Sequence, residues 1–248
     1  MKNEKRQAFY PGKVWLDTEG KRIQAHGGSI MYIDGVYYWY GENKEKTDGV
    51  NGIWHWGVRC YKSTDLYNWE DCGIIIPPEP ENPKSSLHPT KCMDRPHIIY
   101  NERTKKYVCW LKVMDTFDIQ SQTILTADHI LGPYTKVREG LRPLEMNGGD
   151  FDLAVAPDGK AYYYFERVHT ETICADLTDD YTDVTGYYTT HFPRVQPSIC
   201  ERSNRTFLPE REALSVDVGN DRIFTESVGS CSCGYMARTI SCIGKSTY

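Results

Sequence analysis

Residues 29–40 read Ser-Ile-Met-Tyr-Ile-Asp-Gly-Val-Tyr-Tyr-Trp-Tyr, the pattern of a β-hairpin. Two runs of β-branched and aromatic residues flank Asp34-Gly35, a pair suited to a two-residue hairpin turn because both turn positions need positive φ. A second hairpin is expected from His97-Ile98-Ile99-Tyr100 through 101–105 into Lys106-Tyr107-Val108-Cys109-Trp110. A third runs from Leu153-Ala154-Val155 through Pro157-Asp158-Gly159 into Ala161-Tyr162-Tyr163-Tyr164-Phe165. Each is followed by another strand ending in a polar turn, with aspartates at 65, 128 and 176.

That three-part unit recurs at an uneven period of ~50–60 residues, as in propeller-like arrays of four-stranded sheets. Hardly any helical periodicity is present, so the class is all-β. An ordinary β-sandwich with similar hairpins is the competing arrangement, although a sandwich need not repeat hairpin, strand and aspartate turn in one order. Two segments interrupt the pattern, 43–56 and 77–89, and read as long surface loops of the kind that shape a binding mouth. Trp54 and Trp56 end the first, where a ring either stacks on a sugar face or seals the loop to the sheet.

Composition narrows the partners. The 248 residues carry a formal net charge of −5, which argues against nucleic acid or an anionic membrane surface. No apolar run reaches spanning length and the first residues are polar, so neither a transmembrane helix nor a signal peptide is expected. The nine cysteines lack metal-site spacing, and their odd number fits reduced thiols in a cytoplasmic protein. The 18 tyrosines suit sheet packing and sugar-binding faces equally.

Carboxylates at the starts of a propeller's inner strands point into its central channel. Asp94-Arg95-Pro96 opens the second repeat, and Asn147-Gly148-Gly149-Asp150-Phe151-Asp152 opens the third. The first opens with Gln24-Ala25-His26-Gly27-Gly28-Ser29 and has no carboxylate there. Glycoside hydrolysis needs an acid for the leaving oxygen and a second group opposite it, which makes these openings the candidates. Asp94 either reaches the channel or pairs with its neighbour Arg95. Asp150, directly after the glycines, is preferred to Asp152, which is expected to face the other way. His26 is either a hydrogen-bonded turn residue or a ligand of the channel. Glu42 and Glu166 fall at strand ends and either face the mouth or make local ion pairs.

Four stretches, AHGGSIMYIDGVYYWYGENK (25–44), GVRCYKSTDLYNWEDCG (57–73), DRPHIIYNERTKKYVCWLK (94–112) and GDFDLAVAPDGKAYYYFE (149–166), together resemble glycoside hydrolase family 43. They are most similar to its exo-β-1,3-galactanase branch, and the resemblance covers about 10–193. It implies a five-bladed β-propeller, an inverting glycosidase and a galactose-, arabinose- or xylose-containing oligo- or polysaccharide substrate. Asp150 matches the residue that modulates the pKa of the general acid. Asp94 matches an acidic substrate-binding position before Arg-Pro. His26, Glu42, Glu166 and Trp54 are the further substrate-binding candidates. His26 stands where most family members place the base aspartate. No cofactor is implied; a structural Ca²⁺ or Na⁺ ion occurs in the family, but no ligand pattern here supports one.

After Pro193 the pattern stops: 194–248 has no hairpin signal and gathers Cys and Ser. The Arg-Glu-Ala segment in which the family carries its general acid is absent, and Glu201 stands near that place only by coincidence of frame. Read from the second base of each codon, 229–236 permits Glu-Val-Ala-Val-Ala-Asp-Thr-Trp, its tryptophan forced by the single methionine codon. From Pro197 the same frame permits Pro-Pro-(Phe/Tyr)-Val-Arg-Glu-Ala. The chain thus reads as about three blades over 10–193 followed by an aberrant, frameshifted tail over 194–248, expected to fold poorly and hydrolyse little. A noncatalytic carbohydrate-binding propeller and an inert truncated product are the alternatives.

Overall fold

The computed structural model describes residues 5–116, 119–168 and 170–192, together with the backbone of two short strands, 215–217 and 222–224. The remainder of 194–248, on which the expectation of an aberrant tail rests, lies outside the described residues. Twelve strands form three four-stranded antiparallel sheets. The first holds β1 (His26–Ile33), β2 (Val36–Glu42), β3 (Val58–Ser63) and β4 (Glu70–Ile76). The second holds β5 (Cys92–Asn101), β6 (Lys106–Thr116), β7 (Ile119–Ala127) and β8 (Thr135–Leu141). The third holds β9 (Gly148–Val155), β10 (Ala161–Arg167), β11 (Glu171–Leu177) and β12 (Val184–His191). The short strands β13 (Ser215–Asp217) and β14 (Arg222–Phe224) pair only with each other.

In every sheet the strands neighbour one another in sequence order, and β5 lies beside both β1 and β9. The three sheets are therefore blades whose first strands, β1, β5 and β9, line one side. The expected hairpins occur where the turn chemistry places them. Asp34 and Gly35 both adopt positive φ (47° and 86°), closing β1 onto β2 with Ile33 paired to Val36. At the β5–β6 turn, Asn101 Oδ1 accepts the amides of Arg103 and Thr104 at 3.0 Å each. Asp65 organises the β3–β4 turn in the same way, through the amides of Tyr67 and Asn68. In the third blade Asp176 lies inside β11, and Asp180 takes the turn role by accepting the Thr182 amide.

The middle blade shows why the sequence reads as it does. Along β6, Val108 and Trp110 face the third blade, while Cys109, Leu111 and Val113 face the first. A sheet covered on both faces needs apolar residues at consecutive positions, and Val108 to Leu111 are all fully buried. Trp110 donates its indole N–H to Tyr181 O at 2.8 Å and lies 5.0 Å, centre to centre, from the Tyr163 ring. The outer face of the first blade is sealed by the N-terminal segment, with Trp15, Ile23 and Ala25 packed around Trp39, Tyr61 and Trp69.

Among the described residues Cys60, Cys72, Cys92 and Cys109 are free thiols. No helix among the described residues is long and apolar enough to cross a membrane.

Candidate active site

The openings of β1, β5 and β9 bring the predicted residues to one mouth. Each first strand begins opposite the end of its hairpin partner: His26 pairs with Glu42, Asp94 with Lys112, and Gly148 with Arg167. Glycines allow close approach at these openings. A Cβ on Gly28 would lie 1.8 Å from Tyr40 O, and one on Gly149 would lie 2.9 Å from Glu166 Oε2. Glu166 thus sits directly against the backbone that leads into Asp150.

Glu42 is almost fully buried. Its Oε1 is 2.9 Å from His26 Nδ1 and its Oε2 is 2.5 Å from Lys44 Nζ. Burial pushes the Glu42 carboxyl up and Asp94 adds to this; the hydrogen bonds from Lys44 and His26 pull the other way without cancelling it. His26, the first residue of β1, is largely exposed at the mouth and meets Glu42 from there. Lys44 also lies 4.2 Å above the centre of the Trp54 ring, and the Trp54 indole N–H donates to Asp94 Oδ1 at 3.3 Å.

Asp94 does not pair with Arg95. A bulge between Asp94 and His97, with Arg95 at φ 52°, sends the arginine across to Asp150, where it bonds Oδ2. Lys112, nearly buried, donates to Asp150 Oδ1 at 3.1 Å and lies 3.9 Å from Asp94 Oδ2. Partial burial pushes the Asp150 carboxyl up, but Lys112 and Arg95 outweigh it and hold the group below its ordinary value.

Asp152 corrects the expectation that it faces away from Asp150. Strand side chains alternate with period two, so residues two apart share a side, and Phe151 and Leu153 occupy the buried one. Asp152 pairs with His97 at 2.9 Å, and both carboxylates meet side chains of the second blade.

Lys44, Lys112 and the swing of Arg95 were not foreseen. Lys112 did carry a signal: it is the one charge in the run Tyr107 to Val113, and counting back from the Asn101–Lys106 pair, with one bulge, sets it opposite Asp94. Among the described residues no group of three His, Cys, Asp or Glu side chains is placed to hold a metal ion.

Comparison with known proteins places the fold in a family. A sequence profile for glycosyl hydrolases family 43 matches residues 22–211. A solved family 43 β-1,3-galactosidase is 34% identical with a TM-score of 0.64, over 73% of this chain and 38% of its own. A second, solved with galactodeoxynojirimycin, is 31% identical with a TM-score of 0.63, over 73% of this chain and 66% of its own. The exo-β-1,3-galactanase of Phanerochaete chrysosporium, solved with galactose, is 26% identical with a TM-score of 0.64, over 72% of this chain and 42% of its own. No curated protein sequence gives a significant match. The chain accordingly spans between 38% and 66% of the length of these structural relatives. With the profile covering more than half of its residues and the three blades superposing on solved relatives, the chain belongs to glycosyl hydrolases family 43.

Proposed function

We propose that this chain carries the first three blades of an inverting glycoside hydrolase that removes galactose from β-1,3-linked glycans. The observation that carries this reading is the convergence of His26, Glu42, Asp94 and Asp150 on one mouth, with Lys112 between the last two. Relatives solved with galactose and with galactodeoxynojirimycin support a galactose-configured substrate.

In this reading Asp94 and His26 offer an acceptor and a donor to sugar hydroxyls, the buried Glu42 holds His26 and Lys44 in place behind them, and Trp54 offers a ring to the sugar's apolar face. Glu166 flanks the same mouth. Asp150 stays ionised because Lys112 and Arg95 surround it. An ionised carboxylate beside a general acid raises that acid's pKa and keeps it protonated near neutral pH, which is the modulator role. The acid itself belongs to a further blade. We assign it to the Arg-Glu-Ala segment of the alternative frame, with the domain boundary near Pro193 and a shifted frame over 194–248. On this account the chain as written hydrolyses little.

A second reading, a noncatalytic sugar-binding propeller, draws on His26 standing in place of a carboxylate at the opening of β1. Titration of the 248-residue chain with galactose, followed by NMR, tests the shared part of both. Binding that is lost in Asp94→Ala supports the mouth; no binding by the unaltered chain removes it.

A further inference from the structure

The two mouth loops, 43–57 and 77–91, meet at a residue with no role so far. His55 is fully buried, and both ring nitrogens are engaged. The Gly57 amide donates to Nδ1 at 2.9 Å, so the ring proton sits on Nε2 and points to His88 O at 3.1 Å. The first bond closes the His55 loop on itself, and the second crosses to the other loop.

We propose that His55 is a positioning residue: its imidazole locks the two loops together and thereby holds the Trp54 indole at Asp94. The backbone on either side is built for this. Trp54 N and His55 N both donate to Pro89 O, at 2.7 and 3.3 Å, while Trp56 N donates to Asn43 O at 2.8 Å and Asn43 N to Gly57 O at 2.9 Å. Gly57 takes φ 82°, and a Cβ there would lie 2.3 Å from Ile76 O, so the chain reverses tightly beside the imidazole. Trp54 O is itself tied down by Lys44 Nζ at 2.8 Å and Thr47 Oγ1 at 2.9 Å. The indole is the part left to be aimed, and it reaches Asp94 Oδ1 at 3.3 Å. Replacing the ring by an apolar side chain would leave the buried Gly57 amide without its partner and remove the side-chain bond to His88 O, which keeps only its backbone bond from Lys91 N at 2.9 Å; an unpaired buried amide is relieved by the loops moving apart. That Trp54 lines a sugar mouth rests on the function proposed above; that His55 places Trp54 does not.

The test uses the full 248-residue chain with ¹⁵N-labelled indoles, the Trp54 signal being identified by its loss in Trp54→Phe. His55→Leu removes both bonds, whereas His55→Gln supplies an amide that donates to His88 O and a carbonyl that accepts from Gly57. In His55→Leu the Trp54 signal should shift and its solvent exchange rise by about tenfold or more, while His55→Gln stays within roughly twofold of the original. Trp110, bonded to Tyr181 O within the blade core, should keep its signal in both variants. The proposal is overturned if Trp54 is unchanged in His55→Leu. It is equally overturned if Trp54 and Trp110 shift together, because His55 then supports the whole fold. Galactose titration separates the two claims: a chain that binds no galactose contradicts the sugar mouth, while the indole signals still decide the role of His55.

Discussion

Lys112 Nζ lies 3.1 Å from Asp150 Oδ1 and 3.9 Å from Asp94 Oδ2, so one nearly buried ammonium spans the two carboxylates that open the second and third blades. Its position follows from the register of β5 and β6, which sets Asp94 and Lys112 opposite each other. The Lys112–Asp150 contact, with Arg95 beside it, joins the two blades electrostatically at the mouth, next to the apolar core they share.

Removing that cation should release Asp150. In Lys112→Met the effect of burial is opposed by Arg95 alone, and the Asp150 carboxyl pKa should rise from its depressed value, as read by ¹³C carboxyl titration. The sign for stability follows: a depressed carboxyl stabilises the fold above its unfolded pKa and loses that contribution as pH falls through the folded value. Lys112→Met should therefore show a shallower loss of stability on acidification. An unchanged Asp150 titration would count against the assigned electrostatics.

In a frame-restored protein, Asp150→Asn should lower kcat by about a hundredfold or more and leave KM within a few-fold, because a modulator acts on the acid rather than on substrate binding. Equal loss in both constants, measured on a β-1,3-galactobioside, would mark Asp150 as a structural or binding residue instead.

His55 should make the fold acid-sensitive. Burial pushes its pKa down to about 4; the bond to His88 O opposes this, Lys44 and the His88 ring add to it, and Asp94 opposes it weakly. The unfolded chain takes up this proton near the ordinary value of 6.5 and the folded chain only near 4, so the stabilisation is complete above 6.5 and is lost as pH falls between the two. The full effect is at most about 3 kcal/mol. Glu42 acts with the opposite sign, since a raised carboxyl pKa costs stability as pH rises through it. The difference in denaturation midpoint between the original chain and His55→Gln, followed from pH 7 to 4, isolates the histidine. A pH-independent difference would contradict its assigned protonation.

Trp110 is completely buried between the second and third blades, with its indole bonded to Tyr181 O. Trp110→Ala should cost about 3–5 kcal/mol, visible as a lower urea midpoint. A loss below about 1 kcal/mol would show that the two blades do not share a packed core.

Much of this fold was legible because its hairpins are written locally. Asp34-Gly35, Asn101 and Gly159 each encode a turn, and consecutive apolar residues such as Val108 to Leu111 mark a sheet covered on both faces. All six site residues named from the sequence lie around the mouth, since strand openings are themselves a local signal. The partners of those residues were less legible because they depend on how blades meet. Arg95 crosses to Asp150 only after a bulge with positive φ, and Lys44 reaches Glu42 and Trp54 only after its loop has folded back. Asp152 shares the side of Asp150 because strand side chains alternate with period two, and its partner His97 comes from the neighbouring blade. His55, inside a polar loop, gave no sign that it would be buried.

The most direct test of the central claim is galactose release from a β-1,3-galactobioside, followed by ¹H NMR, with two proteins compared: the 248-residue chain and the product of the same gene with the reading frame restored after the codon for Pro193. The frame-restored protein is expected to release galactose with the α anomer appearing first, as inversion requires, and the 248-residue chain to release about a hundredfold less or none. Comparable turnover by the two would contradict the account, as would no turnover by the restored protein.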